Sequence, residues 1–301
     1  MLRNEFGKEQ SLSNLCGLFG KSRQAYYQYS KSDLSTLKRD TVILETIITY
    51  REEAPRLGAF KLYIILLGIL GRENMMGRDA FFNFMSAKRL MLKPSKGRRT
   101  TNSNHRFHKY TNLIKGFVPT GINQLWVSDI TYIETVDGVC YLHLITDAYS
   151  HKIIGWVLAP TLQAIYTLEA LENAIAQTEK EDLSGLIHHS DRGSQYCSKL
   201  YVDKLNKCNI KISMTQDYKP TDNAIAERIN GILKQEWLYV NHQFKDERQA
   251  KEELARIILF YNTKRPHMSN DMNTPEQVHS QGAMTKRCWK NKTYFPKQQV
   301  M

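Results

Sequence analysis

Between Asp79 and Asp129 the chain has no acid: residues 80–128 contain neither Asp nor Glu. Nine Lys or Arg fill that gap, namely Lys88, Arg89, Lys93, Lys96, Arg98, Arg99, Arg106, Lys109 and Lys115. A short charge run is usually a solvated linker. One this long and one-sided suits phosphate contact, because each neutralised phosphate releases counterions and adds affinity. The chain also lacks a Cys-x-x-Cys pair. Its five cysteines (Cys16, Cys140, Cys197, Cys208, Cys288) are scattered and odd in number, which reads as reduced thiols. His105 and His108 could begin a zinc site, but no cysteine pair stands at a spacing to complete it. No uncharged apolar run approaches the ~18 residues of a membrane span, and the N-terminus carries no signal-peptide apolar region. These absences predict a cytoplasmic protein with no membrane partner. Internal repeats and low-complexity segments are absent too.

What is present is a 301-residue chain, 42% apolar, with net charge +12 and pI near 9.4. It is long enough for two or three domains, and its cation surplus predicts a polyanionic partner. Two helix–turn–helix-like patterns come first. In SLSNLCGLFGKSRQAYYQYSK a helix over Leu12–Phe19 breaks at Gly20, and Ser22 caps a second helix carrying Arg23, Gln24, Tyr26 and Tyr27. GAFKLYIILLGIL, the turn GRENMMG and RDAFFNFMSAKRL form the second pattern, ending in Lys88 and Arg89. Two-helix hairpins are also plain packing units; the adjoining basic stretch tips the reading to DNA. After Thr120 the pattern turns to strands: QLWVSDITYIE, a VDG turn, VCYLHLITD and KIIGWVLA. A helix (TLEALENAIAQTEK), a strand (GLIHHSD) and a late helix (KEELARIILFYNTKR) complete an α/β domain with a mixed sheet.

Asp129 sits inside an apolar strand, beside Val127, Ile130 and Ile133, where an acid is costly unless neutralised. Asp191 ends the later strand, a place where α/β sheets build sites, although a surface turn acid would look the same. KPTDNAIAERINGILKQEW carries Asp222, Glu227 and Glu236. At about 100° per residue, with Glu227 at zero, Lys234 falls near −20°, Asn223 near −40° and Asn230 near −60°. Ile225, Ile229, Ile232 and Leu233 form the opposite, packing side. Glu236 falls at about 180° and cannot join Glu227 while the helix stays regular. Asp222 is placed to cap the helix. Two aspartates and a glutamate without a nucleophile–His pair suit metal chemistry: hard carboxylates for two Mg²⁺ ions, with Mn²⁺ as a substitute.

Asp129 and Asp191 are separated by 61 residues, Asp191 and Glu227 by 35. This resembles the D…D-35-E arrangement of transposases and retroviral integrases. WVSDITYI, HHSDRGSQY, PTDNAIAERINGILKQE and YNTKRPH…TPEQV, with APRLGAFKLYIILL and RRTTNSNH upstream, resemble the insertion-sequence-three family of bacterial transposases, specifically its second reading-frame product. The resemblance covers nearly the whole chain. It implies a ribonuclease H-like catalytic core with a mixed five-stranded sheet and flanking helices, preceded by an all-α helix–turn–helix-type DNA-binding region. It implies a metal-binding catalytic triad of Asp129, Asp191 and Glu227. It further implies a reaction in which water attacks the element end, the freed 3′-hydroxyl attacks another strand, and the route passes through a circular intermediate. Lys234 matches a basic position that contacts element-end DNA, and Asp147 a recurrent acid outside the triad, read as a turn or supporting residue. Arg23, Lys88, Arg89, Lys93, Lys96, Arg98, Arg99 and Arg106 are the other candidate DNA contacts.

The expected divisions are a helix–turn–helix-like segment (1–50), a second helical DNA-binding module (51–94), a basic linker (95–119), the catalytic core (120–240) and a C-terminal helix and tail (241–301). Implied partners are double-stranded DNA (terminal inverted repeats and target), further copies of the chain, and an upstream reading-frame product; the setting is the bacterial nucleoid. The chain departs from the family pattern at QDYKPT, where glycine is usual, and at Asn270, where an apolar residue is usual. The paired His and Cys of the integrase zinc module are absent. The alternatives are a non-catalytic DNA-binding protein descended from a transposase and a nuclease on the same fold.

Overall fold

The computed structural model describes residues 11–92, 108–178, 183–216, 223–239 and 243–281. Four helices come first: α1 (Leu12–Leu18), α2 (Arg23–Glu53), α3 (Ala59–Leu70) and α4 (Arg78–Ala87). Ser11 and Ser22 cap the first two, accepting from the Asn14 and Ala25 N–H groups at 3.2 and 3.0 Å. Gly20, at φ +61, makes the break between them. α2 runs well beyond the tyrosines that mark its start, and the helices of the second pattern lie where its apolar runs put them.

The sheet has the order β3-β2-β1-β4-β5. Strands β1 (Leu125–Thr135), β2 (Gly138–Asp147) and β3 (Ile153–Ala159) form an antiparallel meander. β4 (Ile187–Ser190) and β5 (Lys211–Met214) add on in parallel. Between them come α5 (Ala164–Ala176), after β3, and α6 (Lys199–Lys207), after β4. α5 lies close over β3 because residue 155 is glycine: a Cβ there would run into the Ala170 carbonyl and Ala174. The strand-and-helix patterning singled out neither α6 nor β5.

Helix α7 (Ala224–Leu233) continues into a π-helical turn, Lys234–Leu238; α8 (Glu247–Thr263) and α9 (Pro275–Gln281) follow. α7 buries Ile229, Ile232 and Leu233 of the predicted stripe, and Ala226 beside them, while Ile225 is only half-buried. Two expectations are corrected. The helix does not stay regular as far as Glu236, because the π turn intervenes. The cap position falls at Asn223, and Asp222, expected to cap, lies outside the described residues. One continuous apolar cluster joins Ile43, Ile47, Leu62, Leu66 and Phe81 of the helical region to Leu142, Leu144, Ile229, Trp237 and Tyr261. Among the described residues no helix is long and apolar enough to cross a membrane.

Candidate active site

Parallel pairing of β1 with β4 sets Ser128 beside Ser190. The next residue in each case is an acid, so Asp129, within β1, and Asp191, just past the end of β4, are neighbours at the edge of the β1–β4 paired stretch, in the middle of the sheet. Asp129 accepts a hydrogen bond from the Asn230 side-chain amide at 2.7 Å and from the Ile130 N–H at 2.9 Å. Asp191 accepts from the Gly193 N–H at 2.9 Å, and a Cβ at Gly193 would stand 3.0 Å from the same carboxylate oxygen, a crowded approach that glycine avoids. Glu227 lies in the first turn of α7.

Electrostatics connect the three acids. Burial and the neighbouring Asp191 charge push the Asp129 carboxyl up from 3.8 to about 7; hydrogen bonds from Asn230 and Ile130 oppose this, and Glu227 adds to it. Lys234 is half-buried at the start of the π turn. Burial lowers its pKa, while the charges of Asp129 and Glu134 act against this. Among the described residues no three His, Cys, Asp or Glu side chains are gathered into a metal cage. The acids share a field without closing on one point. The donor set nonetheless fits a hard divalent cation: all-oxygen ligands, and a carboxyl held protonated chiefly by burial and like-charge repulsion that such an ion would relieve.

A set of neutral side chains holds this edge together. Ser128, next to Asp129, shares a 3.0 Å hydrogen bond with the Tyr196 hydroxyl and donates to the Leu144 carbonyl at 3.0 Å. Its own carbonyl accepts from the Asn223 amide at 3.0 Å. Tyr196 belongs to the loop after Asp191, and Asn223 and Asn230 bracket Glu227, so each acid's element is tied to β1. Sequence reasoning placed Asn223 and Asn230 on the polar face with Glu227 but gave them no role; both are buried, at 6% exposure. Their separation from Glu227 by four and three residues was the available signal. Nothing in the sequence marks Tyr196 or Ser128 apart from their nearness to the acids.

The other candidates are placed elsewhere. Arg23 opens α2, and Lys88 and Arg89 end α4; all three are exposed on the helical region, not on the sheet. Lys93, Lys96, Arg98, Arg99 and Arg106 lie outside the described residues, as does His105; His108 packs edge-on against Tyr110 at 4.9 Å. Asp147 is fully buried and accepts from the Asn123, Tyr149 and Ser150 N–H groups and the Ser150 hydroxyl, a turn organiser as its position suggests. Asn270 is also fully buried. It donates to the Ser150 carbonyl at 2.7 Å and bonds to His151 Nδ1 at 3.0 Å, which explains a polar residue where an apolar one is usual.

The integrase core domain family matches residues 119–220, and a second family of the same description matches 208–275. An uncharacterized 31 kDa protein of insertion element IS600 from Shigella sonnei is 34% identical over 260 residues, 84% of this chain and 93% of that protein. The transposase InsF for insertion sequence IS3A from Escherichia coli K12 is 31% identical over 286 residues, 89% and 94% of the two chains. Among solved structures, the HTLV-2 integrase catalytic core domain in complex with magnesium is similar over 52% of this chain and 96% of that one, at 20% identity and TM-score 0.41. With its five-stranded mixed sheet and integrase core, this chain belongs to the bacterial insertion-sequence transposases of the IS3 type, built on a ribonuclease H-like fold.

Proposed function

We propose that this transposase cleaves and joins DNA strands at the ends of its element through Asp129, Asp191 and Glu227. Family membership sets the reaction class, polynucleotidyl transfer. The observation that supports the residue assignment is the pairing of β1 with β4, which sets Asp129 beside Asp191, together with the Asp191 and Glu227 charges that act on the Asp129 carboxyl, raised to about 7. Those three carboxylates would hold Mg²⁺, or Mn²⁺ in its place. When bound, the metal supplies Lewis-acid activation of the attacking oxygen and neutralises charge at the leaving oxygen of an in-line displacement.

The chain's own groups do the rest. Asn230 fixes one oxygen of Asp129 and the Ile130 N–H the other, which holds the carboxylate in one orientation. Gly193 lets the Asp191 loop close tightly around its acid. Lys234, half-buried between Asp129 and Glu134, presents a cation to a backbone phosphate entering the acid cluster. Arg23, Lys88 and Arg89 on the helical region, and the basic stretch through Arg106, add phosphate contacts that hold double-stranded DNA without reading its sequence. Two DNA ends must be handled together, which suits assembly of several copies on DNA.

The test is to incubate the protein with Mg²⁺ and duplexes ending in the element's terminal repeats, and to follow joining of the 3′ end. Glu227→Gln should bind the duplex and join nothing; unchanged joining by that variant would end the assignment. A non-catalytic DNA-binding protein would bind without joining in the parent chain, and a nuclease would nick without joining.

A further inference from the structure

Glu236, outside the triad, has an unusual set of partners. Its Oε1 accepts from Lys61 Nζ at 2.8 Å and from an Arg265 terminal nitrogen at 2.7 Å, and its Oε2 accepts from Arg265 Nε at 2.8 Å. The side chains of Arg265, Glu236 and Lys61 are only 2, 13 and 17% exposed. Burying two cations around one anion is an inefficient route to stability, since desolvation cancels much of the attraction. A two-pronged guanidinium contact does, however, fix geometry.

The geometry it fixes is a junction. Lys61 lies in α3 of the helical region, Glu236 in the π turn that ends the catalytic helix, and Arg265 just beyond α8. Two more bonds cross the same junction. The Arg56 N–H donates to the Glu236 carbonyl at 3.2 Å, and the Trp237 indole donates to the Glu53 carbonyl at 2.8 Å. Residues 53–61 are thus clamped to residues 236–237 through main chain and side chain alike. Lys234 and Glu236 stand on different sides of this π turn: Glu236 meets Lys61 and Arg265, while Lys234 lies within the electrostatic reach of Asp129 and Glu134.

We infer that Glu236 is a positioning residue for strand transfer: with Lys61 and Arg265 it pins the helical region to the helix bearing Glu227 and Lys234. DNA held by the helical region then meets the acids in a fixed register. This rests on the functional reading above, in which the helical region holds DNA. The pin contributes to orientation, so its loss lowers turnover more than it lowers DNA affinity.

Lys61→Met provides the test, because methionine keeps the packing of the aliphatic stem and leaves the Glu236–Arg265 pair in place. Thermal stability, duplex affinity and the steady-state kinetics of end joining are measured for the parent chain, Lys61→Met, Lys61→Arg, Glu236→Gln and Glu227→Gln. The expected result for Lys61→Met is unchanged duplex affinity and KM, with turnover reduced about tenfold to a hundredfold. Lys61→Arg should restore most of the rate, and Glu236→Gln should lose more. Full turnover in a folded Lys61→Met would overturn the inference. So would a fall in affinity matching the fall in rate, or loss of fold in both Lys61→Met and Glu236→Gln, which would assign the network to stability alone. If the parent chain joins ends and Lys61→Met joins them equally well, the pin fails alone; if the parent chain and Glu227→Gln behave alike, the functional reading fails.

Discussion

Asp129, bonded to Asn230 of the catalytic helix, and Glu236, in the π turn that follows it, are both carboxylates largely withdrawn from water, yet their ionisation moves in opposite directions. At Asp129, burial and the Asp191 charge raise the pKa to about 7 against a single side-chain amide and one N–H. At Glu236, burial also pushes upward, but the hydrogen bonds and charges of Arg265 and Lys61 outweigh it and hold the carboxyl below its usual range. Burial is common to both; the identity of the partners decides. The acid that the fold needs has its cations built in. The acid assigned to chemistry is surrounded by like charge, the electrostatic state that suits an arriving metal ion.

The largest effect expected from breaking this contrast is on activity. Asp129→Asn, Asp191→Asn or Glu227→Gln should each reduce joining on the order of 10³-fold or more while duplex binding persists, since groups that act as a unit fail together. A gel assay of joined product alongside a binding titration checks this.

The next largest is on stability, at Glu236. Glu236→Ala leaves Arg265 and Lys61 charged and unpaired in a buried setting, and should cost about 3–5 kcal/mol. Denaturant unfolding measures it, and a change below about 1 kcal/mol, the level of an exposed pair, would remove the contrast. The sign of the pH dependence follows from the depressed pKa. The native state binds fewer protons than the unfolded chain, so the Glu236 contribution is full above the ordinary glutamate range and fades as pH falls through the lowered native value.

Asp129 has the opposite sign. Its native pKa is raised, so between about pH 4 and 7 the native state holds a proton that the unfolded chain releases, and metal-free stability falls as pH rises through that window. Asp129→Asn removes the penalty. Above pH 7 it should stabilise the metal-free protein by about 1–3 kcal/mol, discounted for the part of the side chain still in water. Mg²⁺ should raise the melting temperature of the parent chain and not that of Asp129→Asn. Calorimetry at pH 5 and pH 8, with and without Mg²⁺, shows both. The smallest effect is expected for Tyr196→Phe, which loses one hydrogen bond to Ser128 and about 1 kcal/mol.

Much of this molecule is legible in its sequence, for physical reasons. The apolar alternation of WVSDITYIE and the VDG turn mark β1 and β2, and the 3.6-residue periodicity of AIAERINGIL marks the buried side of α7. Asp129 stands out because it interrupts such a pattern, whereas Asp191 and Glu227 stand out by their spacing from it. β5 does not stand out: KISM is four residues with only its last two fully buried, too short for alternation to register. The π turn is hidden because KQEWL continues a plausible helical pattern, and only long-range partners reveal the departure. Lys61 lies 175 residues from Glu236, and nothing local to either residue announces the pair. Asn230 was legible as a neighbour of Glu227 but not as inward-facing, because its burial depends on a carboxylate 101 residues away.

The central claim is that Glu227, not Glu236, is the acid of this helix that works in the reaction. The most direct measurement gives the protein Mg²⁺ and a pre-cleaved element end with a free 3′-hydroxyl, and compares the single-turnover joining rates of Glu227→Gln and Glu236→Gln under conditions where both remain folded and bind the duplex. The predicted result is no joined product from Glu227→Gln and slowed but measurable joining from Glu236→Gln. Joining by Glu227→Gln at the parent rate would contradict the claim.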